Sequence, residues 1–223
     1  PVSSFYGYKV LCLFNSDAEV AAAPVQLAAA PGRFRYQDTD GNGSITPDDR
    51  VHLGSPNPDF TYGVTLGLDY KGFDFSAIFY GSQGNEIFNT TRSYLHFFQY
   101  YNGTKSNVLL DAWTPEHTNT KVPKIETSQN FSTSTVPNSY YIEDGSYLRL
   151  KSLIFGYTVK PSIIQKIGIS NLRVYTQCAN LFTLTKYTGL DPELGGSSSN
   201  FGLDFGNYPN NEVGVIFGFN ITF

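Results

Sequence analysis

A segment of eleven residues with strict two-residue alternation does most to limit how this chain can fold. Its even-numbered positions are all apolar: Phe60, Tyr62, Val64, Leu66, Leu68 and Tyr70. Its odd-numbered positions are small or polar: Thr61, Gly63, Thr65, Gly67 and Asp69. Successive side chains of a β-strand point to opposite faces, so the segment predicts a strand with one wholly apolar face. A half-buried strand of a soluble sheet fits this pattern, and so does a strand of a membrane barrel, which needs about 9–11 residues with aromatic residues at both ends.

Further segments repeat the strand pattern. We predict short helices at 18–23 and 161–167, and strands at 5–13, 73–81, 146–158, 171–181 and 213–223. In the third of these strands the alternation changes phase between Leu150 and Leu153. Such a change predicts a β-bulge near Lys151 and Ser152, because one extra residue restores the phase.

The connections between the predicted strands alternate between long and short along the chain. Consecutive antiparallel strands place alternate connections at opposite ends of a sheet, so three long connections fall at one end: 14–59, 82–145 and 182–212. Outer-membrane barrels have this asymmetry, with short periplasmic turns and long extracellular loops. About six strands are too few to close such a barrel, for which about eight is the lower limit. On this interpretation we expect the other strands to lie outside these residues.

Charge and composition exclude several classes. The net charge of −4 offers no basic surface for nucleic acid. No apolar run approaches the roughly 18 residues of a membrane-spanning helix. Aromatic residues make up 16% of the chain and charged residues only 15%, which favours strands over helical bundles. Cys12 and Cys178 are too few for a disulfide framework and are predicted to be unpaired.

The segment from Asp38 to Asp49 is the strongest local chemical signal. It reads DTDGNGSITPDD and has the spacing of an EF-hand calcium loop, in which alternate oxygen ligands surround a hard cation. A structural calcium ion is therefore the predicted cofactor, with the ligands Asp38, Asp40, Asn42, Ser44 (through its carbonyl) and Asp49. An Asp at the last position, where Glu is usual, and the absence of an exiting helix weaken the match. The alternative is an Asx-rich turn held by its own side-chain to backbone hydrogen bonds.

A cluster of aromatic residues lies within the second long connection: Tyr94, Phe97, Phe98, Tyr100 and Tyr101. Aromatic side chains on loops stack on sugar rings or contact a partner protein. The alternative is that they pack the loop onto itself. Both interpretations remain open from the sequence.

Enzyme motifs are absent. The sequence contains no nucleophile elbow, P-loop, dinucleotide fingerprint or zinc-protease helix. The three histidines have no metal-ligand spacing and are predicted to be surface residues: His52, His96 and His117. A glycosidase needs two catalytic carboxylates, and four acidic residues are candidates by residue type: Glu143, Asp144, Asp191 and Glu193. Nothing in their spacing indicates that any two of them form such a pair. We therefore predict that the chain is not an enzyme.

Many segments in one order resemble a known family. They include RYQDTDGNG at 35–43, GSPNPDFTYG at 54–63, DGSYLRLK at 144–151, NLFT at 180–183 and YTGLDPE at 187–193. These segments resemble the C-terminal quarter of the SusC/RagA family of TonB-linked outer-membrane transporters. The resemblance covers nearly the whole chain.

The resemblance implies a fold and a function. The fold would be all-β, an antiparallel transmembrane β-barrel of about 22 strands, with residues 1–223 as its C-terminal part and the plug elsewhere. The function would be TonB-dependent import of glycan fragments or peptides across the bacterial outer membrane. Expected partners are a SusD-like lipoprotein, TonB through the N-terminal part, and outer-membrane lipid, with no nucleic acid. The final strand resembles an assembly signal, carried by Phe219, Ile221 and Phe223.

The periodicity and the resemblance agree on orientation. Apolar strand faces would meet lipid, the small and polar faces would line the lumen, and the long connections would be extracellular. The alternative is a soluble, calcium-stabilised β-sandwich that binds carbohydrate. A glycoside-acting enzyme is a third possibility, and it would need two carboxylates facing each other across a cleft.

Overall fold

The computed structural model describes residues 4–97, 103–197, 200–206 and 211–223. Within these ranges the strands are β1 (Phe5–Gly7), β2 (Val10–Leu13), β3 (Phe34–Tyr36), β4 (Val51–Gly54), β5 (Phe60–Tyr70), β6 (Phe73–Gln83), β7 (Glu86–Asn89), β8 (Ile142–Asp144), β9 (Tyr147–Thr158), β10 (Asn171–Ala179), β11 (Thr183–Thr185), β12 (Leu203–Asp204) and β13 (Gly214–Thr222). The α-helices are α1 (Asp17–Ala22), α2 (Thr91–His96) and α3 (Pro161–Ile164). Turns of 3₁₀-helix cover Pro47–Asp49, Asn107–Asp111, Ser139–Tyr141 and Gln165–Ile167. None of the described helices is long and apolar enough to cross a membrane.

The chain divides into two compact units. The sheet unit comprises residues 58–85, 144–193 and 208–223, and the loop unit comprises residues 1–57, 86–143 and 194–207. Nearly all of the loop unit beyond residue 13 comes from the three connections that the sequence predicted to be long. The long connections therefore make up most of the loop unit, and the long strands with their short connections make up the sheet unit.

The sheet unit is built on five long antiparallel strands in the order β13-β10-β9-β6-β5, and the short β11 also pairs with β9. The strand predicted at 60–70 is β5, and it pairs with β6 over its whole length, from Phe60 opposite Gln83 to Tyr70 opposite Phe73. The connecting turn has positive φ at both Lys71 (49°) and Gly72 (90°). That backbone suits a two-residue hairpin, whose turn must match the right-handed twist of its strands.

The predicted bulge in β9 is present. Ser152 pairs with Ile78 and Leu150 pairs with Phe79, so Lys151 is the extra residue between two paired positions. The bulge brings Leu148 and Leu150 onto the same face as the apolar residues that follow them. The phase change in the sequence is therefore an adjustment that keeps one face of the strand apolar.

Because directly opposed residues share a face, the register extends the β5 pattern across the sheet. The apolar face carries, besides the even positions of β5, the residues Phe73, Phe75, Phe79, Leu150, Leu153, Phe155, Tyr157, Leu172, Val174, Val215, Phe217, Phe219 and Ile221. The polar face carries Thr61, Thr65, Asp69, Asp74, Ser76, Tyr80, Arg149, Ser152, Arg173, Tyr175, Gln177 and Asn220. Exceptions are Ile78, Ile154 and Ile216 on the polar face and Thr176 and Cys178 on the apolar face. Much of the apolar face is exposed, with Leu66 at 50%. A contiguous exposed apolar surface of this kind marks contact with a membrane or a protein.

The predicted strand at 5–13 is not a member of this sheet. Its two halves, β1 and β2, pair with β4 and β3 respectively, both inside the loop unit. The long sheet therefore has five long strands rather than six among the described residues. The physical reason is a break in the run: the N–H of Tyr8 donates to the carbonyl of Pro137, and the two halves on either side of it find different partners within the loop unit.

The loop unit has its own aromatic core. Buried members are Tyr8, Leu13, Phe34, Tyr36, Phe97, Trp113 and Tyr141. Tyr8 and Tyr36 stack with ring centroids 5.1 Å apart, and Phe131 meets each of them edge-on. Offset-stacked and edge-on pairs add about 0.5–1.5 kcal/mol each beyond the area they bury. Burial raises the pKa of the Tyr36 phenol, although its hydroxyl is bonded to the side chain of Asn138.

Two glycines on the polar face provide a matched test of strand packing. A Cβ added to Gly156 would lie 2.4 Å from Asp74 Oδ1 and 2.6 Å from Arg173 Nη2, whereas a Cβ on Gly67 would meet nothing within 4 Å. We expect Gly156→Ala to cost about 1–3 kcal/mol by overpacking, while Gly67→Ala is neutral or stabilising. The free energy of unfolding of the full-length protein measures both. Equal effects would show that the ion pair over Gly156 moves aside freely.

Candidate functional site

Four charged side chains meet on the polar face of the sheet unit. Arg149 and Lys151 come from β9, where the bulge lies, and Asp191 and Glu193 come from the segment after β11. The register of β11 positions this segment, because Thr183 pairs directly with Arg149. A strand pairing and a short turn therefore bring two cations and two anions together.

Arg149 is the centre of this charged cluster. Its side chain is only 3% exposed, and its two terminal nitrogens each lie 2.6 Å from a carboxylate, one to Asp191 and one to Glu193. Its Nε donates to the hydroxyl of Thr183 at 2.7 Å. Such charge-assisted bonds are about twice as strong as neutral ones. Each of the three guanidinium nitrogens of Arg149 therefore has a polar partner.

The remaining contacts complete the cluster. Lys151 Nζ donates to both oxygens of Glu193, at 2.6 and 2.9 Å. Asn211 donates to Asp191 at 3.1 Å, and the backbone N–H of Glu193 donates to the same carboxylate at 2.8 Å. The two carboxylates therefore share the cation Arg149 and do not face each other across a cleft, as a glycosidase would require.

The other two acids of the glycosidase alternative are also engaged. Glu143 accepts from Asn89 at 2.7 Å and pairs with Arg92 at 3.0 Å. Asp144 accepts from the backbone N–H of Ser146 at 2.9 Å. The geometry thus supplies a structural role for each of the four acids.

An open cavity of about 290 Å³ adjoins the charged cluster. It is lined by Gly63, Val64, Thr65, Ile78, Phe79, Tyr80, Lys151 and Glu193. Its polar groups are one ammonium, one carboxylate and the hydroxyls of Thr65 and Tyr80. The two charged groups at this cavity, Lys151 and Glu193, are already bonded to each other at 2.6 Å.

A second ion pair lies near the other end of the same strands. Arg173 on β10 bonds Asp74 on β6 at 2.5 and 2.9 Å, and its guanidinium lies 4.8 Å from the ring of Tyr175. The pair passes over Gly156 of β9, the strand between them. It ties three strands together without holding any connection.

The predicted calcium loop folds around Asp49. This carboxylate is fully buried and accepts from the backbone N–H groups of Thr39 at 2.6 Å, Thr46 at 2.7 Å and Asp40 at 3.4 Å. Burial alone would raise the pKa of the Asp49 carboxyl, but the hydrogen bonds from Thr46, Thr39 and Asp40 hold it below the usual value. Asp49 is therefore ionised at neutral pH and organises the loop from inside.

The other predicted ligands form Asx turns. Asp38 accepts from the backbone N–H groups of Gly41 and Gly43, both at 2.8 Å. Asp40 accepts from Asn42, whose own side-chain oxygen accepts from the backbone of Ser44 at 2.8 Å. These bonds are those of the Asx-turn alternative. Even so, carboxylate oxygens of Asp38, Asp40 and Asp49 lie within 4.8 Å of one another, which is compatible with Ca²⁺–O distances of about 2.4 Å.

The comparisons with known proteins agree with one another. No family model matches the sequence. The chain is 37% identical over 94% of its length to TonB-dependent receptor P3 of Formosa agariphila, and 36% identical over its whole length to TonB-dependent receptor P26 of that organism. It is also 28% identical over 78% of its length to TonB-dependent receptor SusC of Bacteroides thetaiotaomicron. It spans only 21%, 23% and 16% of these three relatives.

Solved structures extend the similarity to the fold. The RagAB peptide transporter matches 99% of this chain with a TM-score of 0.74 and 27% identity, and the match covers 22% of that protein's chain. The RagAB peptide importer in its closed-closed state matches with a TM-score of 0.70 and 29% identity. The chain belongs to the SusC/RagA family of TonB-dependent receptors. Its relatives are receptors and transporters, in agreement with the prediction that it is not an enzyme.

The structure divides the aromatic cluster of this SusC/RagA chain. Phe97 is 5% exposed and packs against Tyr140 and Tyr141 with centroids 6.2 Å away, so it follows the packing alternative. Tyr94 is 47% exposed, and contact with a cargo or partner remains a prediction for it. The predictions for Phe98, Tyr100 and Tyr101 lie outside the described residues.

His96 departs from the prediction of a surface histidine, while His52 and His117 are exposed. Its ring lies 2.8 Å from the hydroxyl of Tyr140, whose backbone carbonyl accepts from Arg92 at 2.5 Å. Burial is the main cause, and the positive charge of Arg92 the second, of a lowering of the pKa of His96 to about 4. The ring is therefore neutral at neutral pH. The sequence offered no signal for this, because the partner lies 44 residues away.

Three residues predicted as an assembly signal lie at the C-terminal strand. Phe219 and Ile221 stand opposite Val174 and Leu172 on the apolar face, and Phe223 directly follows β13. Their recognition by an insertion machinery remains a prediction. Cys12 and Cys178 are unpaired, as expected.

We expect Asp49→Asn to loosen the loop, because an amide cannot accept all the N–H bonds that the carboxylate does. The cost is about 1–3 kcal/mol. Hydrogen exchange of residues 38–49 in the full-length receptor measures it, with the exposed neighbour Asp48→Asn as control. Since the folded pKa of Asp49 is lowered, its stabilisation is present above the unfolded value of about 3.9 and is lost as pH falls through the folded value. Faster exchange in both variants would contradict the assignment.

Proposed function

We propose that this chain forms part of the wall of an outer-membrane importer, with β5, β6, β9, β10 and β13 as adjacent barrel strands. The observation that carries the proposal is the continuous apolar face across all five strands, opposite a face with two ion-pair clusters. A strand exposed to lipid on one side and to a polar lumen on the other needs this division. The family supports the proposal, because its relatives are TonB-dependent receptors and a peptide transporter.

The orientation follows from the topology. Short barrel connections are periplasmic, so the Lys71-Gly72 turn and the α3 connection would face the periplasm. The segments of the loop unit would then be extracellular. The chain would be the C-terminal part of the receptor, and the plug and the TonB-contacting segment would belong to the rest of the protein.

A SusD-like surface lipoprotein is the proposed partner, and oligosaccharides or peptides are the proposed cargo. The similarity to the RagAB peptide transporter favours peptides. The soluble β-sandwich alternative is not favoured, because the described part of the sheet unit is a single sheet without a second one packed on it.

Uptake by cells tests the function. A strain that lacks the full-length receptor should lose accumulation of labelled peptides or oligosaccharides and regain it with the wild-type receptor. If the strain loses uptake of peptides alone, or of oligosaccharides alone, that result identifies the class of cargo. Unchanged uptake of both, with no lipoprotein co-purifying with the receptor, would refute the proposal.

The assignment of the two faces has its own test. Leu66→Arg places a charge on the proposed lipid face and should cost about 2–4 kcal/mol near the bilayer midplane, while Thr65→Arg on the polar face should cost less. The folded fraction of the full-length receptor in bilayers, followed by its heat-modifiable gel mobility, measures both. An equal loss of folded receptor in the two variants would contradict the assignment of the lipid and lumen faces.

We also propose that the loop from Asp38 to Asp49 holds a structural calcium ion, with Asn42 and the Ser44 carbonyl as the other ligands. The support is the EF-hand spacing and the three carboxylates within reach of one ion. Calcium should slow hydrogen exchange of residues 38–49 in the full-length receptor, a chelator should reverse it, and Asp38→Ala should abolish the response. If the hydrogen exchange rate does not change with calcium, the calcium site is refuted and the Asx turns alone account for the structure of the loop.

A further inference from the structure

We infer that Arg149 is a positioning residue that clamps the segment 183–193, here called the strap, onto the polar face of the sheet. The clamp itself rests on the geometry of the sheet unit. Its consequence for import, that the strap keeps Glu193 at the cavity beside Lys151 and Tyr80, rests on the proposed function.

The contacts show how one side chain holds the whole strap. Arg149 bonds Thr183 at the beginning of the strap, and Asp191 and Glu193 at its end. A guanidinium has five donors in a rigid fork, so it can hold three acceptors in fixed directions. A lysine is a single point charge and cannot reproduce this arrangement.

The two ends of the strap are held in different ways. The first end is part of the sheet: β11 pairs with β9, the N–H of Leu150 donates to the carbonyl of Phe182 at 3.1 Å, and Thr185 donates to the carbonyl of Ser146 at 2.9 Å. The far end is held through side chains, by Arg149 and Lys151 on the two carboxylates and by Asn211 on Asp191. Releasing the side-chain bonds would free the far end and leave only the three-residue β11 pairing to hold the residues around Lys186.

Charge balance explains why the bond to Arg149 decides the position. Arg149 and Asp191 are both buried, so each needs its partner to offset the loss of water. Without Arg149, two neighbouring carboxylates would share the single cation Lys151. The remaining excess of negative charge is satisfied more easily in water, which drives the strap away from the sheet.

The strap contains a natural reporter of its position. Lys186 is exposed, and trypsin cuts the bond after it only when the surrounding residues are released from structure. In the purified full-length receptor, Arg149→Gln should raise the rate of cleavage after Lys186 by about tenfold or more. Arg149→Lys should also raise it, because a compact ammonium on a flexible stem cannot hold Thr183, Asp191 and Glu193 in the fixed directions of the guanidinium fork.

Arg173→Gln is the matched control, since it removes the second ion pair of the same face, which holds no connection. It should leave the cleavage rate within about twofold of the wild type. Glu193→Gln removes the charge of a side chain that is 32% exposed, and it gives a milder variant if Arg149→Gln fails to fold. A cleavage rate that is unchanged in the folded Arg149 and Glu193 variants, or equally raised by Arg173→Gln, would overturn the clamp.

Uptake separates the clamp from its consequence. Cells with folded Arg149→Gln receptor at wild-type amount should accumulate less labelled peptide or oligosaccharide than cells with Arg173→Gln receptor. If cleavage after Lys186 increases but uptake is unchanged, the link to import is wrong and the clamp by Arg149 still holds. Absence of uptake in the wild type would refute the proposed function, while the cleavage rates would still decide the clamp.

Discussion

Every structural feature of the sheet unit depends on the hydrogen-bonded register of five antiparallel strands. Because opposed residues share a face, the alternation of one strand extends to its neighbours only if each register keeps the same parity. A slip of one residue between any two strands would set apolar side chains opposite polar ones, and a slip of β9 or β10 would carry Arg149 or Arg173 to the apolar face. The register is therefore specified by both faces at once: by apolar burial on one side and by charged partners at fixed positions on the other.

The sequence predicted those parts of the fold that have a period. The limits of β5, those of β9 to within one residue, the bulge at Lys151 and the helical turn after Pro161 all followed from alternation or from turn chemistry. The prediction of one strand at 5–13 was wrong, because the run breaks at Tyr8 and its halves pair separately with β4 and β3. The cluster around Arg149 was not predicted, since charges 42 and 44 residues apart become neighbours only through the pairing of β11 with β9.

The loop unit explains why the long connections looked structureless in the sequence. Its core is assembled from aromatic residues of separate segments, such as Tyr8, Tyr36 and Tyr141, and no segment alone shows a regular pattern. The loop from Asp38 to Asp49 was visible only because its contacts are local. An aromatic residue in such a connection therefore says little about ligand binding, as the burial of Phe97 shows.

The discontinuity of the loop unit also bears on the order in which it can fold. Its sheet β12-β7-β8 joins residues near 88, 143 and 204, and β12 comes from the third long connection. Loop-closure entropy delays contacts between residues so far apart in the chain. The β1-β4 and β2-β3 pairs can form while the later residues are still unplaced. Completion of the unit, however, must wait until residue 204 arrives, which makes it a late step in the maturation of the receptor.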